Sequence, residues 1–304
     1  MKRTRTLADL GEDQVVTELI QRLRADPKII AGPGDDCAVV PSGDRRFLHL
    51  LKTDAVVEGV HFSSGTPPAG IGWKAACRAV SDVAAMGGWP VHAMITLVVS
   101  PGCRLAWVKS LYTGFDRAAR RYQFSIVGGE TCRLPPGAPI VISVSLLGCV
   151  EKNCCILRSG ARRGDAIFVT GQLGGSRRGW HLNFQPRVVE GRWLASKHHP
   201  TAMMDLSDGL AKDLPRLAKA SGVGFTLDLT TLPRRRGCTT EQALGDGEDY
   251  ELLFTVPHKQ ADPLLRAWKK KFPHLRLTRI GSIIAKSERS TPFPNVTGWE
   301  HFSQ

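Results

Sequence analysis

Six short stretches of the chain follow one pattern, a strand or glycine turn and then a carboxylate. They are GPGDD at 32–36, KTD at 52–54, SD at 81–82, GGE at 128–130, MDLSDG at 204–209 and GDGED at 245–249. Strand ends and glycine turns are where side chains from distant parts of a chain can meet in one cleft. Carboxylates gathered there repel one another unless a cation or a basic residue sits among them. Magnesium takes carboxylate oxygens and commonly shares the phosphates of a nucleotide. The pattern therefore predicts metal-assisted phosphoryl transfer, in which the protein mainly positions groups and neutralises charge. Taken singly, each stretch is also ordinary turn chemistry, and Asp208 has the alternative of capping the helix that follows it.

Other chemistries find little support. There is no GxxxxGK[ST] loop: Gly171 to Ser176 is glycine-rich but lacks the lysine. Neither a GxSxG elbow nor an HExxH pair occurs. The eight cysteines include no CxxC pair, which argues against a zinc knuckle and suits buried free thiols. Basic residues outnumber acidic ones, 41 to 28, for a net charge of +13. That balance favours anionic partners, but the clusters at 162–163, 177–178 and 234–236 are short and lack interleaved aromatics. A generally basic surface is the plainer reading. The longest apolar runs, such as Ala93 to Val99, fall far short of the roughly 20 residues that span a bilayer. Lys2, Arg3 and Arg5 mimic the start of a signal peptide, yet Asp9, Glu12 and Asp13 stand where its apolar segment would be. A cytoplasmic protein is expected.

Elements that could position these carboxylates are visible in the apolar periodicity. Helical spacing is expected over 7–23, 73–86, 105–122 and 208–221, and strands over 37–40, 47–51, 91–99, 125–127, 139–150, 166–170, 201–206, 225–229 and 251–256. Alternating strands and helices in both halves predict an α/β or α+β protein. A length of 304 residues suits two domains, with a boundary near 151–158.

The order of these motifs resembles the thiamine-monophosphate kinase family of the aminoimidazole-ribonucleotide-synthase-like superfamily. The resemblance rests on GPGDDCAVV, KTDAVVEGVHF, GWKAACRAVSDVAAMGG, LRSGARRGDAIFVTG, MDLSDGLAKDL and ALGDGEDYELLF, and runs from about Leu10 to GWEHF at 298–302. It implies a two-domain fold with residues 1–152 binding ATP and metal and forming a homodimer, and 153–304 as a C-terminal α/β domain. It also implies ATP-dependent phosphorylation of thiamine monophosphate to thiamine diphosphate, direct and in line, assisted by Mg²⁺ and without a phosphoenzyme. By position, Asp36 (rather than Asp35), Thr53, Asp54, Asp82, Glu130, Asp205 and Asp208 correspond to metal ligands. Gly129, Glu130, Arg158 and Ser207 correspond to ATP contacts; His61, Glu248 and Trp299 to thiamine-phosphate contacts, with Trp299 offering a face to the cationic thiazolium.

Four departures stand out. Lys52 occupies a position where the family usually has Ser or Thr beside a metal, and an ammonium there repels a neighbouring Mg²⁺ and can take its place. Glu130 replaces the usual Asp, Ala79 a common Asn, and the segment 179–187 is shorter by roughly 20 residues than relatives of ordinary size. Fewer metals are therefore expected. Two alternatives remain. One is another enzyme of the superfamily with a different acceptor; the second is a catalytically impaired homologue that binds nucleotide or nucleic acid. A selenophosphate synthase normally needs a reactive Cys near its N-terminus, whereas the first here is Cys37. A hydrogenase-maturation relative would end in Cys, whereas this chain ends Phe302-Ser303-Gln304.

Overall fold

The structure, a computed structural model, describes residues 5–24, 26–293 and 296–302; Lys2, Arg3, Ser303 and Gln304, which enter the readings of the termini, lie outside the described residues. Two five-stranded sheets carry the chain. The first contains β1 (Ala38–Pro41), β2 (Phe47–Val57), β3 (Trp89–Val99), β4 (Ser125–Arg133) and β5 (Val141–Glu151) in the order β1-β2-β5-β3-β4. All its pairings are antiparallel except β3 with β4. The second contains β6 (Asp165–Thr170), β7 (Ala202–Asp205), β8 (Gly224–Leu227), β9 (Leu252–Pro257) and β10 (Leu277–Ile284) in the order β7-β9-β6-β10-β8, antiparallel throughout.

Eight helices accompany them: α1 (Leu7–Leu10), α2 (Glu12–Ile20), α3 (Pro68–Ala85), α4 (Leu105–Tyr122), α5 (Val188–Lys197), α6 (Leu210–Ser221), α7 (Thr240–Gly245) and α8 (His258–Lys271). The single helix expected over 7–23 is broken at Gly11, whose positive φ of 73° caps α1 and opens α2. Conversely, β2 runs on through the KTD motif instead of ending at Leu51.

Helix α3 packs against the first sheet, α4 and α5. It is buried along most of its length, and close approach to α4 is set by Gly72, where a Cβ would lie 2.1 Å from the Leu111 carbonyl oxygen. Its charged residues Lys74, Arg78 and Asp82 recur every fourth position, so they share one face. Strand β2 supplies the opposing row. Successive residues of a strand point to opposite faces. Leu48, Leu50 and Val56 are buried on the face that also carries Lys52 and Asp54. The core row therefore turns polar at Lys52, beside the charged stripe of α3.

Candidate active site

Carboxylates from three elements converge next to α3. Asp36 lies just before β1, Asp82 on α3 and Asp205 at the end of β7; each offers an oxygen within 4.8 Å of the others. All three residues are buried. Two ionised carboxylates at such a separation repel by about 3 kcal/mol even at an effective dielectric near 20. The crowding shows in their acidity. Burial and neighbouring carboxylates push Asp82 well up, and burial with the adjacent Asp36 pushes Asp205 up to about 7. Asp36 Oδ2 and Asp205 Oδ1 are buried and have no hydrogen-bond partner. Unpartnered buried oxygens on crowded carboxylates are what a hard cation satisfies.

Basic groups already stand at the edge of this cluster. Lys52 Nζ lies 3.0 Å from Asp82 Oδ1 and 3.7 Å from Asp54 Oδ1. Burial alone would weaken its charge, but Asp54 and Asp82 more than restore it. Arg158 donates from Nη2 to Asp36 Oδ1 at 2.7 Å. Its backbone N–H donates to the Asp35 carboxylate, which also accepts from the Asp36 N–H. In the GDD turn, then, Asp35 holds the loop and Asp36 faces the cluster. Ser81 fixes Asp205 by donating to Oδ2 at 2.6 Å.

Four expected ligands stand apart from that group of three. Asp54 is held by Lys52. Asp208 is engaged by Arg216 at 2.5 Å, with Lys212 at 3.6 Å. It is not the cap of α6: Gly209 takes that position, and the Asp213 carboxylate accepts from the N–H groups of Asp208 and Gly209. The Thr53 side chain is on the opposite face of β2 from Lys52 and Asp54, with its hydroxyl near Ser143 and Ser145, because a strand alternates faces. Glu130 is exposed on β4 and accepts from the neighbouring Thr131 N–H. Beside it, Gly129 lies so close to β3 that a Cβ would meet the Ile95 carbonyl oxygen at 1.9 Å.

A cleft of about 280 Å³ opens beside the other end of the α3 stripe, lined by His61, Arg78, His181, Ser207, Glu248 and Trp299 among others. Glu248 has a left-handed backbone, φ 53°, and donates its N–H to the Ser207 carbonyl. Non-glycine residues in that region mark a conformation held by its surroundings. The Glu248 carboxylate lies 2.6 Å from Lys74 Nζ, 3.6 Å from Arg78 Nη1 and 3.4 Å from His181 Nδ1. Lys74 is wholly buried and donates also to the His61 carbonyl and His181 Nδ1. Burial lowers its pKa to about 8 against the pull of Glu248. Glu248 in turn stays below the usual carboxylate range: burial opposes its charge, but Lys74 and Arg78 outweigh it. His61 Nδ1 accepts from the Val57 N–H, and burial with Arg78 and Lys74 pushes the imidazole down to about 4. Trp299 donates its backbone N–H to the Asp208 carbonyl, while the Arg177 guanidinium covers its ring at 4.9 Å. Lys74, Arg78, Arg177 and His181 were not singled out from the sequence. The four-residue spacing of Lys74, Arg78 and Asp82 in an otherwise apolar helix was the available signal.

Residues 34–150 match the family described as AIR synthase related protein, N-terminal domain, and residues 162–291 match its C-terminal domain. A thiamine-monophosphate kinase of Rhodopirellula baltica is 35% identical over 91% of this chain and 90% of its own. The enzyme of that name from Aquifex aeolicus is 34% identical over 97% and 99%. A solved structure titled AaThiL complexed with AMPPCP and TMP superposes with a TM-score of 0.83 at 32% identity, covering 99% of this chain and all of its own.

Proposed function

Because the chain belongs to the thiamine-monophosphate kinases of the AIR synthase related family, we propose that it transfers the γ-phosphoryl group of ATP to thiamine phosphate, forming thiamine diphosphate and ADP. The observation that best supports this division of the site is the stripe on α3. Asp82 at one end joins the acidic cluster and Lys74 at the other joins the cleft, eight residues or about 12 Å along the helix. That span suits a nucleotide and a phosphorylated acceptor meeting end to end.

Asp36, Asp82 and Asp205 fit Mg²⁺ through oxygens gathered within 4.8 Å, and Asp36 and Asp205 each keep a buried oxygen without a partner; the ion, when bound, would neutralise charge on the transferred phosphoryl group. Arg158, whose Nε has no partner, donates its planar fork to ATP phosphate oxygens, with Gly129 and Ser207 approaching the nucleotide through their backbone. Glu248 and His61 shape the acceptor cleft. Trp299 receives the thiazolium on the face that Arg177 covers, one cation exchanging for another. A phosphate oxygen of the acceptor then bonds to the γ-phosphorus as the bond to ADP breaks, so no side chain carries the phosphoryl group. Asp54 is paired with Lys52 and Asp208 with Arg216, and the Thr53 and Glu130 side chains stand outside the group of three.

In this reading residues 1–152 and 153–304 are the two domains. A second copy of the chain covers the outer face of the first sheet, where β4 is an exposed edge strand and Leu51, Met94 and Val127 are exposed. Sedimentation should give twice the chain mass, and a monomer would contradict the pairing. Among the described residues no helix is long and apolar enough to cross a membrane, and all eight cysteines are free, which suits the cytoplasm. The activity is tested by following ADP with MgATP. Formation should require thiamine phosphate; release that ignores the acceptor would contradict the assignment.

A further inference from the structure

We propose that the Lys52 ammonium is a resident cation of the acidic cluster. It fills the position between Asp54 and Asp82 where a second divalent ion would sit, and leaves this chain one protein-held divalent ion, at Asp36, Asp82 and Asp205. The inference rests on the metal-assisted kinase reading and sharpens it.

Three observations carry it. First, Lys52 is delivered to the cluster by the core-facing row of β2, and its Nζ lies within 3.0 Å of Asp82 and 3.7 Å of Asp54. A tethered cation at that distance competes with any ion seeking the same two carboxylates, and its charge repels one brought close. Second, charge leaves no demand for two divalent ions: Asp36, Asp54, Asp82 and Asp205 already have Lys52, Arg158 and Arg78 as basic neighbours, so one divalent ion more than balances the four carboxylates. Third, within the cluster the buried carboxylate oxygens without a hydrogen-bond partner belong to Asp36 and Asp205, not to the two carboxylates that flank Lys52. Demand for a cation thus remains on one side of the cluster and is met on the other.

Counting Mn²⁺ bound to the full chain by equilibrium dialysis, with no nucleotide present, tests this. The native chain should bind one ion, and Lys52→Ser should bind one more. Lys52→Met, which removes the charge without adding an oxygen, should also gain an ion; it covers the case in which the serine variant fails to fold, as judged by a melting curve. Two ions on the native chain, or an unchanged count in a folded variant, would overturn the inference while leaving the kinase assay untouched. Binding of no Mn²⁺ to any of the three proteins would overturn the metal-assisted reading and this inference together.

Discussion

The acidic cluster and the acceptor cleft lie along one stripe of α3, yet their charges are balanced in opposite ways. In the cluster the buried atoms without partners include carboxylate oxygens, on Asp36 and Asp205. Around the cleft they include Arg78 Nε and Glu248 Oε1, but the Glu248 carboxylate is ringed by Lys74, Arg78 and His181. In the first region carboxylates outnumber the basic groups beside them; in the second, basic groups surround a single carboxylate. In the proposed reading the two ends of the helix therefore recognise separate partners, and Asp82 and Lys74 are not interchangeable members of one charged patch.

Substitutions should separate the two regions. Asp205→Asn should lower turnover by about a thousandfold, as loss of a group that organises transition-state charge does, and should abolish Mn²⁺ binding in dialysis. Turnover and Mn²⁺ binding both near native levels would break the assignment of the cluster. Lys74→Met should leave Glu248 buried without its ammonium and cost about 3–5 kcal/mol in urea unfolding. By contrast, removing the exposed Arg46–Asp44 pair should change almost nothing. Equal effects would mean that the cleft is as wet as the surface. Glu248→Gln should raise the KM for thiamine phosphate about tenfold while kcat and the KM for ATP stay close to native. A change confined to ATP would move Glu248 to the other region.

The smallest effect concerns pH. His61 has a folded pKa of about 4 against 6.5 for the free group, so the folded state binds fewer protons between these values. Its contribution is complete above pH 6.5 and lost as pH falls through 4. After allowance for its partial exposure, native protein should lose about 1 kcal/mol more than His61→Gln between pH 7 and 5. Parallel unfolding curves for the two proteins would show that the imidazole is not held neutral.

Much of this geometry was legible because it follows from short-range rules. The GDD turn, the SD pair within α3 and the carboxylate ending β7 were visible, and α4 begins and ends where its periodicity does. Elsewhere two local signals competed. Alternation along β2 turns the Thr53 side chain away from the face that carries Lys52 and Asp54, although the three share one motif. Asp208 resembled a cap, but Gly209 takes that position and the Asp208 carboxylate pairs with Arg216 instead. Helix α8 was missed because Pro263 interrupts its pattern, and β10 because register shifts between Arg279 and Gly281. Lys74 and Arg78 were hidden by their apolar surroundings, and their partners, Glu248 and His181, lie more than 100 residues away. No local pattern carries a pairing of that range. The contact of Lys52 with Asp82 likewise joins a strand and a helix that no local spacing relates.

In the proposed reaction one end of α3 organises the donor phosphate while the other holds the acceptor. Phosphorus-31 NMR of the full chain with MgATP and thiamine phosphate tests it most directly. Thiamine diphosphate and ADP signals should grow together in equal amounts, with no free phosphate. Growth of ADP with inorganic phosphate, and no thiamine diphosphate, would contradict it.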